Sequence, residues 1–585
     1  MVFSASFTPG GRRSAGVLVP VFSLRTEDDQ GIGDVEGLRQ FIDWAADARF
    51  GFVQLLPVNE TGPDNSPYNA ISSVAIEPMT IDCRPGKGLA DLSAELYAEV
   101  LAGQDMEALR SGAVKYEAVR ALKLDLLWRA FSGFVEGHYQ QGTVRDEEFH
   151  QFCEREKDWL GDYCLFRLLM DMEGGRHVWS EWPEEYGTVG RAREFVDRLL
   201  EAEPAKTERQ LVYYAFVQWI AHEQWAAVRR HADDRRVRLM GDIPFGVSLC
   251  SADVFANPAL FDLEWHGGAP PERLFKDDEF VQKWGQNWGI PLYRWDAMEA
   301  SDFAWWRQRV RKVTEIFSMF RIDHALGFYR IYAFPWNPAR NAEFLPLGEE
   351  EAAARCGGRR PGFKPRDDES EENRAANRSD GEIYLRTIQE AAGEADIVAE
   401  DLGMVPDYVR PSLADLEIPG MKVPQWEHDE AGVIHGARYP ELSFATYATH
   451  DHLPMRTQWD AARGRLETAE RDGAEWWEAK GFLDSLSKFA GIGAGENGET
   501  FPPYEDGVRE KLLAALFRCA SREAAVMITD LFGLEDRVNV PGVFDGTNWS
   551  HRLEPTVKAL SSDPRWVSDV ATAKKLLIEA GRAAE

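Results

Sequence analysis

The feature that most limits the fold of this chain is a recurrence of short, apolar, β-rich runs, each ending in polar residues. Strands buried on both faces read this way, because neither side of the sheet meets water. Eight such runs recur, at 16–24 (GVLVPVFSL), 52–58 (FVQLLPV), 237–244 (VRLMGDIP), 319–324 (MFRIDH), 396–403 (DIVAEDLG), 423–427 (VPQWE), 444–451 (FATYATHD) and 525–533 (AVMITDLFG). Most are separated by stretches with helical periodicity. Eight strands alternating with helices predict an α/β fold of the (β/α)8 TIM-barrel type.

The spacing of the runs is uneven. Far more residues lie between the second and third than the roughly 30 of a strand–helix–strand unit. Within that excess Val119, Leu122, Leu126 and Ala130 fall three or four apart, as do Phe166, Leu169 and Met170, then Val212, Phe216, Trp219 and Ile220. The expected organisation is therefore a first barrel part over 1–80, a large, mostly helical insertion over 81–207, and the rest of the barrel over 208–585 with further loop insertions. The segment 347–379 is acidic, poor in apolar residues and broken by glycine, which predicts an irregular, mobile loop.

Charge and cysteine usage exclude several functions. With 66 basic against 98 acidic residues the net charge is −32. Such a surface repels phosphate backbones and anionic lipid, so no nucleic-acid or membrane partner is expected. It leaves a neutral substrate such as a sugar unopposed, and the 20 tryptophans include faces suited to pyranose rings, although most serve the core. The six cysteines at 83, 153, 164, 250, 356 and 519 form no CxxC and no Cys/His cluster. That pattern predicts reduced thiols in a cytoplasmic protein and no metal site. The N-terminus lacks a signal-peptide stretch, and no run of about 18 apolar residues occurs.

In an α/β barrel the chemistry sits at the C-terminal ends of the strands. Four runs end in acids there: Asp242, Asp323, Glu400 with Asp401, and Asp451. Converging carboxylates are what glycosyl transfer requires. One attacks the anomeric carbon and a second protonates the leaving oxygen, about 5 Å apart in a retaining enzyme. Arg321 and Asp323 are two apart and share a strand face, so the guanidinium can hold Asp323 ionised as a nucleophile. Val398 and Glu400 share a face likewise, and an acid leaving an apolar strand can have the raised pKa of a general acid. The spacing alone leaves a glycosidase, a metal-dependent lyase and an aldolase open.

RIDH (321–324), AEDLG (399–403) and THD (449–451) resemble motifs of the 4-α-glucanotransferases called amylomaltases or disproportionating enzymes, glycoside hydrolase family 77. The resemblance extends over nearly the whole chain through SPYNAISSVAIEP (66–78), GDIPFGVSLCSADVFANP (241–258), GQNWGIPLYRW (285–295) and DLFGLEDRVNVPGVFDGTNWSHRL (530–553). It implies Asp323 as nucleophile, Glu400 as general acid/base and Asp451 as the carboxylate that stabilises the oxocarbenium-like transition state. It further implies sugar contacts from Arg321, His450 and Asp242, an aromatic platform at Tyr68, and an acceptor-side aromatic at Trp288 within a loop over 268–295. The implied substrates are maltooligosaccharides, maltodextrin, and glycogen- or starch-derived glucans, handled without cofactor by a monomer or weak homo-oligomer.

Two departures lie near the acceptor side. Ala325-Leu326-Gly327-Phe328 replaces the commoner Phe-Arg-Gly-Phe, and the stretch 272–284 (ERLFKDDEFVQKW) is longer than usual. Its mixture of apolar residues (Leu274, Phe275, Phe280, Val281) and charges suits a lid. The alternatives are an α-glucan hydrolase or debranching-type enzyme on the same barrel, and a non-catalytic glucan-binding protein. The intact Asp323, Glu400 and Asp451 argue against the last.

Overall fold

The computed structural model describes residues 12–272, 278–495, 498–543 and 546–584. Its centre is a closed barrel of eight parallel strands: β1 (Ser14–Leu18), β2 (Phe52–Gln54), β3 (Arg238–Pro244), β4 (Met319–Asp323), β5 (Asp396–Ala399), β6 (Gly420–Lys422), β7 (Ser443–Ala445) and β8 (Glu523–Met527). Each strand pairs with its neighbours in sequence, and β8 closes on β1. Seven of the eight expected runs overlap a barrel strand and the eighth directly follows one, so the (β/α)8 expectation holds.

Strand alternation stacks the barrel interior in layers. At the N-terminal end Arg238 bridges Asp396 (2.8 Å) and Glu523 (2.9 Å). One step up, Phe52, Met240, Met319, Val398, Met421, Phe444 and Ala525 fill the middle as one buried cluster. One further step places Asp242, Arg321 and Glu400 at the C-terminal mouth. The period of two carries charge, apolar residue and charge along single strands, as in Arg238, Met240 and Asp242 of β3.

Seven helices lie between β2 and β3, from Ala94–Ala102 to the long Pro204–Asp234 that leads into β3. Each of the three periodic stretches falls inside a helix, at Tyr116–Gly137, Lys157–Met172 and Pro204–Asp234. These helices brace the long segment after β2. Lys123 Nζ, fully buried, donates to the Met79 and Ile81 carbonyls (2.6 and 2.8 Å). Arg120 donates to Thr61 Oγ1 (2.9 Å), and Gln218 exchanges two hydrogen bonds with the Ile76 backbone. Tyr68 sits on that braced segment.

Three sequence expectations are corrected. The VPQWE run is not itself the sixth strand. Pro424 cannot donate to a ladder; the strand ends at Lys422, and 423–426 turns, with the Trp426 N–H on the Val423 carbonyl. The acceptor-side segment 268–295 is not all loop: its described residues include the end of one strand, a short helix and a second strand. Strands Phe261–Ala269 and Gln286–Tyr293 pair antiparallel, and Ile331–Phe334 and Gly362–Lys364 extend them into a four-stranded side sheet. The acidic stretch 347–379 is not irregular. It holds helix Glu349–Arg355 and the start of helix Glu371–Ala392, where Ser370 caps the N-terminus by accepting from the Asn373 N–H (3.1 Å) and Glu371 and Glu372 meet the positive end of the helix dipole. Its apolar stripe, Leu385, Ile388 and Ala392, begins only beyond residue 379, so the acidic stretch by itself lacks a helical signature.

The lid expectation for 272–284 falls partly on residues 273–277, among them Leu274 and Phe275, which lie outside the described residues. The remainder forms helix Glu279–Trp284, in which Trp284 and Phe280 pack against Phe334, Trp336 and Phe344 under the side sheet.

Gly16 makes room for the core. A Cβ there would lie 2.2 Å from the Phe52 ring, so Gly16→Ala forces overpacking that costs roughly 1–3 kcal/mol. By contrast Gly161, inside helix Lys157–Met172, has nothing within 4 Å of such a Cβ. Gly161→Ala should stabilise by about 0.5–1 kcal/mol. Unfolding midpoints of the two variants should move in opposite directions.

Candidate active site

The mouth of the barrel is organised around one buried arginine. Arg321 is 2% exposed. It donates from Nε and Nη2 to the two oxygens of Asp242 (3.0 and 2.7 Å), a paired geometry that suits the flat guanidinium. Nη2 also donates to Asp323 Oδ1 (2.7 Å). The register explains the first contact, since Asp242 of β3 stands opposite Arg321 of β4. Strand alternation explains the second.

From Asp242 the network runs outward. The Tyr68 hydroxyl donates to Asp242 Oδ2 (2.6 Å) and lies 3.0 Å from His450 Nδ1. The phenol oxygen also accepts from Arg321 Nη2 (3.3 Å). The two rings stack with centroids 4.4 Å apart. His450 Nε2 reaches Asp451 Oδ2 (3.2 Å), and Asn539 Nδ2 donates to Asp451 Oδ1 (2.5 Å). Arg537 holds the same residue by its backbone carbonyl (2.6 Å).

Glu400 follows β5 and receives the His324 N–H on Oε2 (2.5 Å). Trp288, on strand Gln286–Tyr293, is 39% exposed and meets the His324 ring edge-on at 4.8 Å. All eight expected site residues thus gather at one mouth: Asp323, Arg321, Asp242, Tyr68, His450 and Asp451 as a continuous chain, Glu400 beside β4, and Trp288 through His324. Asp401 does not join them. Its carboxylate turns away to the Met421 N–H (2.6 Å) and Arg410 (2.9 Å).

The carboxyls differ in their proton affinity. Burial opposes ionisation of Asp451, yet His450, Asn539 and Arg321 together hold its carboxyl well below the usual carboxylate range. Burial pushes Glu400 up, with the negative charges of Asp451 and Asp242 adding to the rise and Arg321 and the His324 N–H opposing it. Burial pushes Asp323 up as well, against Arg321. Tyr68 is raised by burial and by Asp242, and stays a neutral donor.

Three residues had no role assigned from sequence. Arg537 and Asn539 hold Asp451, and His324 holds Glu400. Their signal was their place inside the DRVN and RIDH motifs, but which atom each contacts depends on loops meeting in space.

The family model described as 4-alpha-glucanotransferase matches residues 19–558. The chain belongs to the 4-alpha-glucanotransferase family. A 4-alpha-glucanotransferase of Thermus thermophilus is 30% identical over 554 residues, covering 93% of this chain and 95% of its own length. One from Chlamydia caviae is 27% identical over 569 residues, covering 95% and 93%. An amylomaltase from Streptococcus agalactiae, solved in complex with acarbose, shares the fold with a TM-score of 0.73 at 23% identity, covering 98% of this chain and 100% of its own. The enzyme is thus a 4-alpha-glucanotransferase acting on glucan. Among the described residues no helix is long and apolar enough to cross a membrane.

Asp530, in the motif that follows β8, is buried and accepts the Met455 N–H (2.7 Å) at the start of helix Met455–Thr468. Burial raises its carboxyl to about 7. A folded-state value above the unfolded one, about 3.9, means that the proton stabilises the fold. That contribution is complete below pH ~4 and is lost as pH rises through ~7. Asp530→Asn keeps the acceptor and cannot ionise. Between pH 5 and 8 its unfolding midpoint should therefore gain on that of the unchanged enzyme. A gap independent of pH would show that Asp530 is ionised throughout.

Proposed function

We propose that this 4-alpha-glucanotransferase moves α-1,4-linked segments between maltooligosaccharides by two displacements with net retention. Asp323 attacks the anomeric carbon while Glu400 protonates the departing glucan oxygen. The covalent glucosyl-enzyme is then released when Glu400 takes the proton from the 4-hydroxyl of an incoming glucan, which displaces Asp323. The observation that carries this division of roles is the guanidinium of Arg321, which donates directly to Asp323 and not to Glu400. Of two carboxyls pushed up together, the one on the arginine keeps the negative charge of a nucleophile, and the other keeps the proton of an acid.

Asp451, held ionised by its partners, supports the positive charge that develops on the ring, and Asp242, Arg321, Tyr68 and His450 orient the sugar in the cleavage position. Trp288, half-exposed on the side sheet, offers a face to the acceptor. Maltodextrin and glycogen- or starch-derived glucans fit the same chemistry. The cytoplasm as compartment is supported by all six cysteines being free.

Incubation with maltotriose should yield glucose together with maltopentaose and longer chains, resolved by chain length. Glucose and maltose with no product longer than the substrate would replace transfer by hydrolysis.

Asp323→Asn should lose several orders of magnitude in turnover with the fold intact, since the covalent path is gone. Retention of a tenth of the turnover would overturn the nucleophile assignment. Glu400→Gln should still release fluoride from an activated glucosyl fluoride, because fluoride leaves without protonation.

A further inference from the structure

His324 stands at a junction that the proposed roles leave unused. Its backbone lies in the left-handed region (φ 47°, ψ 52°), costly for a residue with a side chain and kept only where the surroundings hold it. That conformation reverses the chain immediately after Asp323 and aims the His324 N–H at Glu400 Oε2 (2.5 Å). The neighbouring backbone locks the arrangement. The Glu400 N–H donates to the Ile322 carbonyl (3.0 Å), the Ala325 N–H to the Glu400 carbonyl (3.1 Å), and the Gly327 N–H to the His324 carbonyl (2.9 Å).

The imidazole points the other way, into the side sheet. Its ring stands perpendicular to Trp288 (86°, 4.8 Å) and edge-on to Phe245 (71°, 6.3 Å). Burial and Arg330 lower its pKa to about 4, so at neutral pH the ring is an uncharged packing surface. Trp288 is otherwise tethered through its own Nε1 to Gln286 (3.2 Å), on a strand of the side sheet that lies between β3 and β4 in sequence. Backbone and side chain of one residue thus face two different parts of the site.

We propose that His324 is a positioning residue for glucan transfer, its left-handed N–H holding Glu400 while its imidazole holds the acceptor-side Trp288. The proposal rests on the reading of Glu400 as acid/base and Trp288 as acceptor contact. Its consequence is that the proton donor and the acceptor platform are placed by the same residue, so that displacing one displaces the other. The groups that face Glu400 and set its titration are Arg321, Asp242, Asp451, Asp323 and this N–H. Arg330 is the charged group acting on the imidazole.

Backbone and side-chain roles separate by substitution. Asn and Gly tolerate the left-handed region, so His324→Asn and His324→Gly keep the N–H and lose the ring. With maltotriose as donor and glucose as acceptor, both should lose less than about fivefold in kcat while the acceptor KM rises several-fold. Adding Trp288→Ala to His324→Gly should raise that KM little further, because the contact is already gone.

His324→Val disfavours the left-handed backbone and should cost about 100-fold in kcat, the scale of a misplaced catalytic group. The basic limb of its pH profile should move upward, since Glu400 loses a hydrogen bond to its ionised form. Fluoride release from maltosyl fluoride, which needs no proton, should recover most of the loss.

Equal kcat losses in the Asn, Gly and Val variants, or a Val variant as slow on the fluoride as on maltotriose while Glu400→Gln is rescued, would overturn the proposal. Glu400→Gln without rescue would instead remove the acid assignment beneath it. Should the Val variant not fold, strict additivity of the Trp288→Ala and His324→Gly effects on acceptor KM would overturn the proposal, and non-additivity would support it.

Discussion

The interaction on which the rest of the site depends is the burial of Arg321 between two carboxylates. A guanidinium taken out of water is costly unless its donors are met by charge and good geometry. Here Asp242 meets it with both oxygens, and Asp323 takes a further hydrogen of Nη2. The arrangement assigns each acid a different task. Asp242 is committed to the arginine and to Tyr68. Asp323 touches the same cation but keeps 28% of its side chain accessible, as the nucleophile proposed for it must be. Glu400 lacks a direct cation contact and keeps its affinity for a proton.

Arg321 in turn relies on the barrel. It is held by residues on β3 and on its own strand, and the apolar layer beneath, with Met240 and Met319 on those strands, excludes water from below. Remote parts of the chain fix the outer edge of the network. The insertion helices brace the segment carrying Tyr68, and the C-terminal loop brings Arg537 and Asn539 onto Asp451. Arg321 and Asp242 come from the barrel strands, while Tyr68, Arg537 and Asn539 reach the same network from loops, so its outer edge can be adjusted without disturbing the strands.

Much of this was legible in the residues. Barrel strands are short and buried on both faces, so their apolar runs stand out even where they are only three residues long, as in β2. The pairs Arg321/Asp323 and Val398/Glu400 were readable because side chains alternate along a strand. The side sheet was not readable. Its motif GQNWGIPLYRW alternates poorly and contains proline and two glycines, and it becomes a strand only by pairing with Phe261–Ala269 across a bulged register. The acidic helix Glu371–Ala392 was hidden by the opposite effect, since its first two turns are mostly solvated and carry little hydrophobic period.

The sequence by itself determined the barrel, the strand-end positions of Asp242, Asp323 and Glu400, and the motifs that resemble a transferase, because each depends on local period and residue type, whereas Asp451 stands on a loop six residues beyond β7. Only the tertiary structure decided which acid meets the arginine through its partner strand, why Asp401 turns to Met421 and Arg410 instead of the mouth, and how His324 joins Glu400 to Trp288. These outcomes depend on register between strands and on where distant loops end. Such contacts join residues far apart in the chain, and no local pattern encodes their distances or the burial that sets their charge.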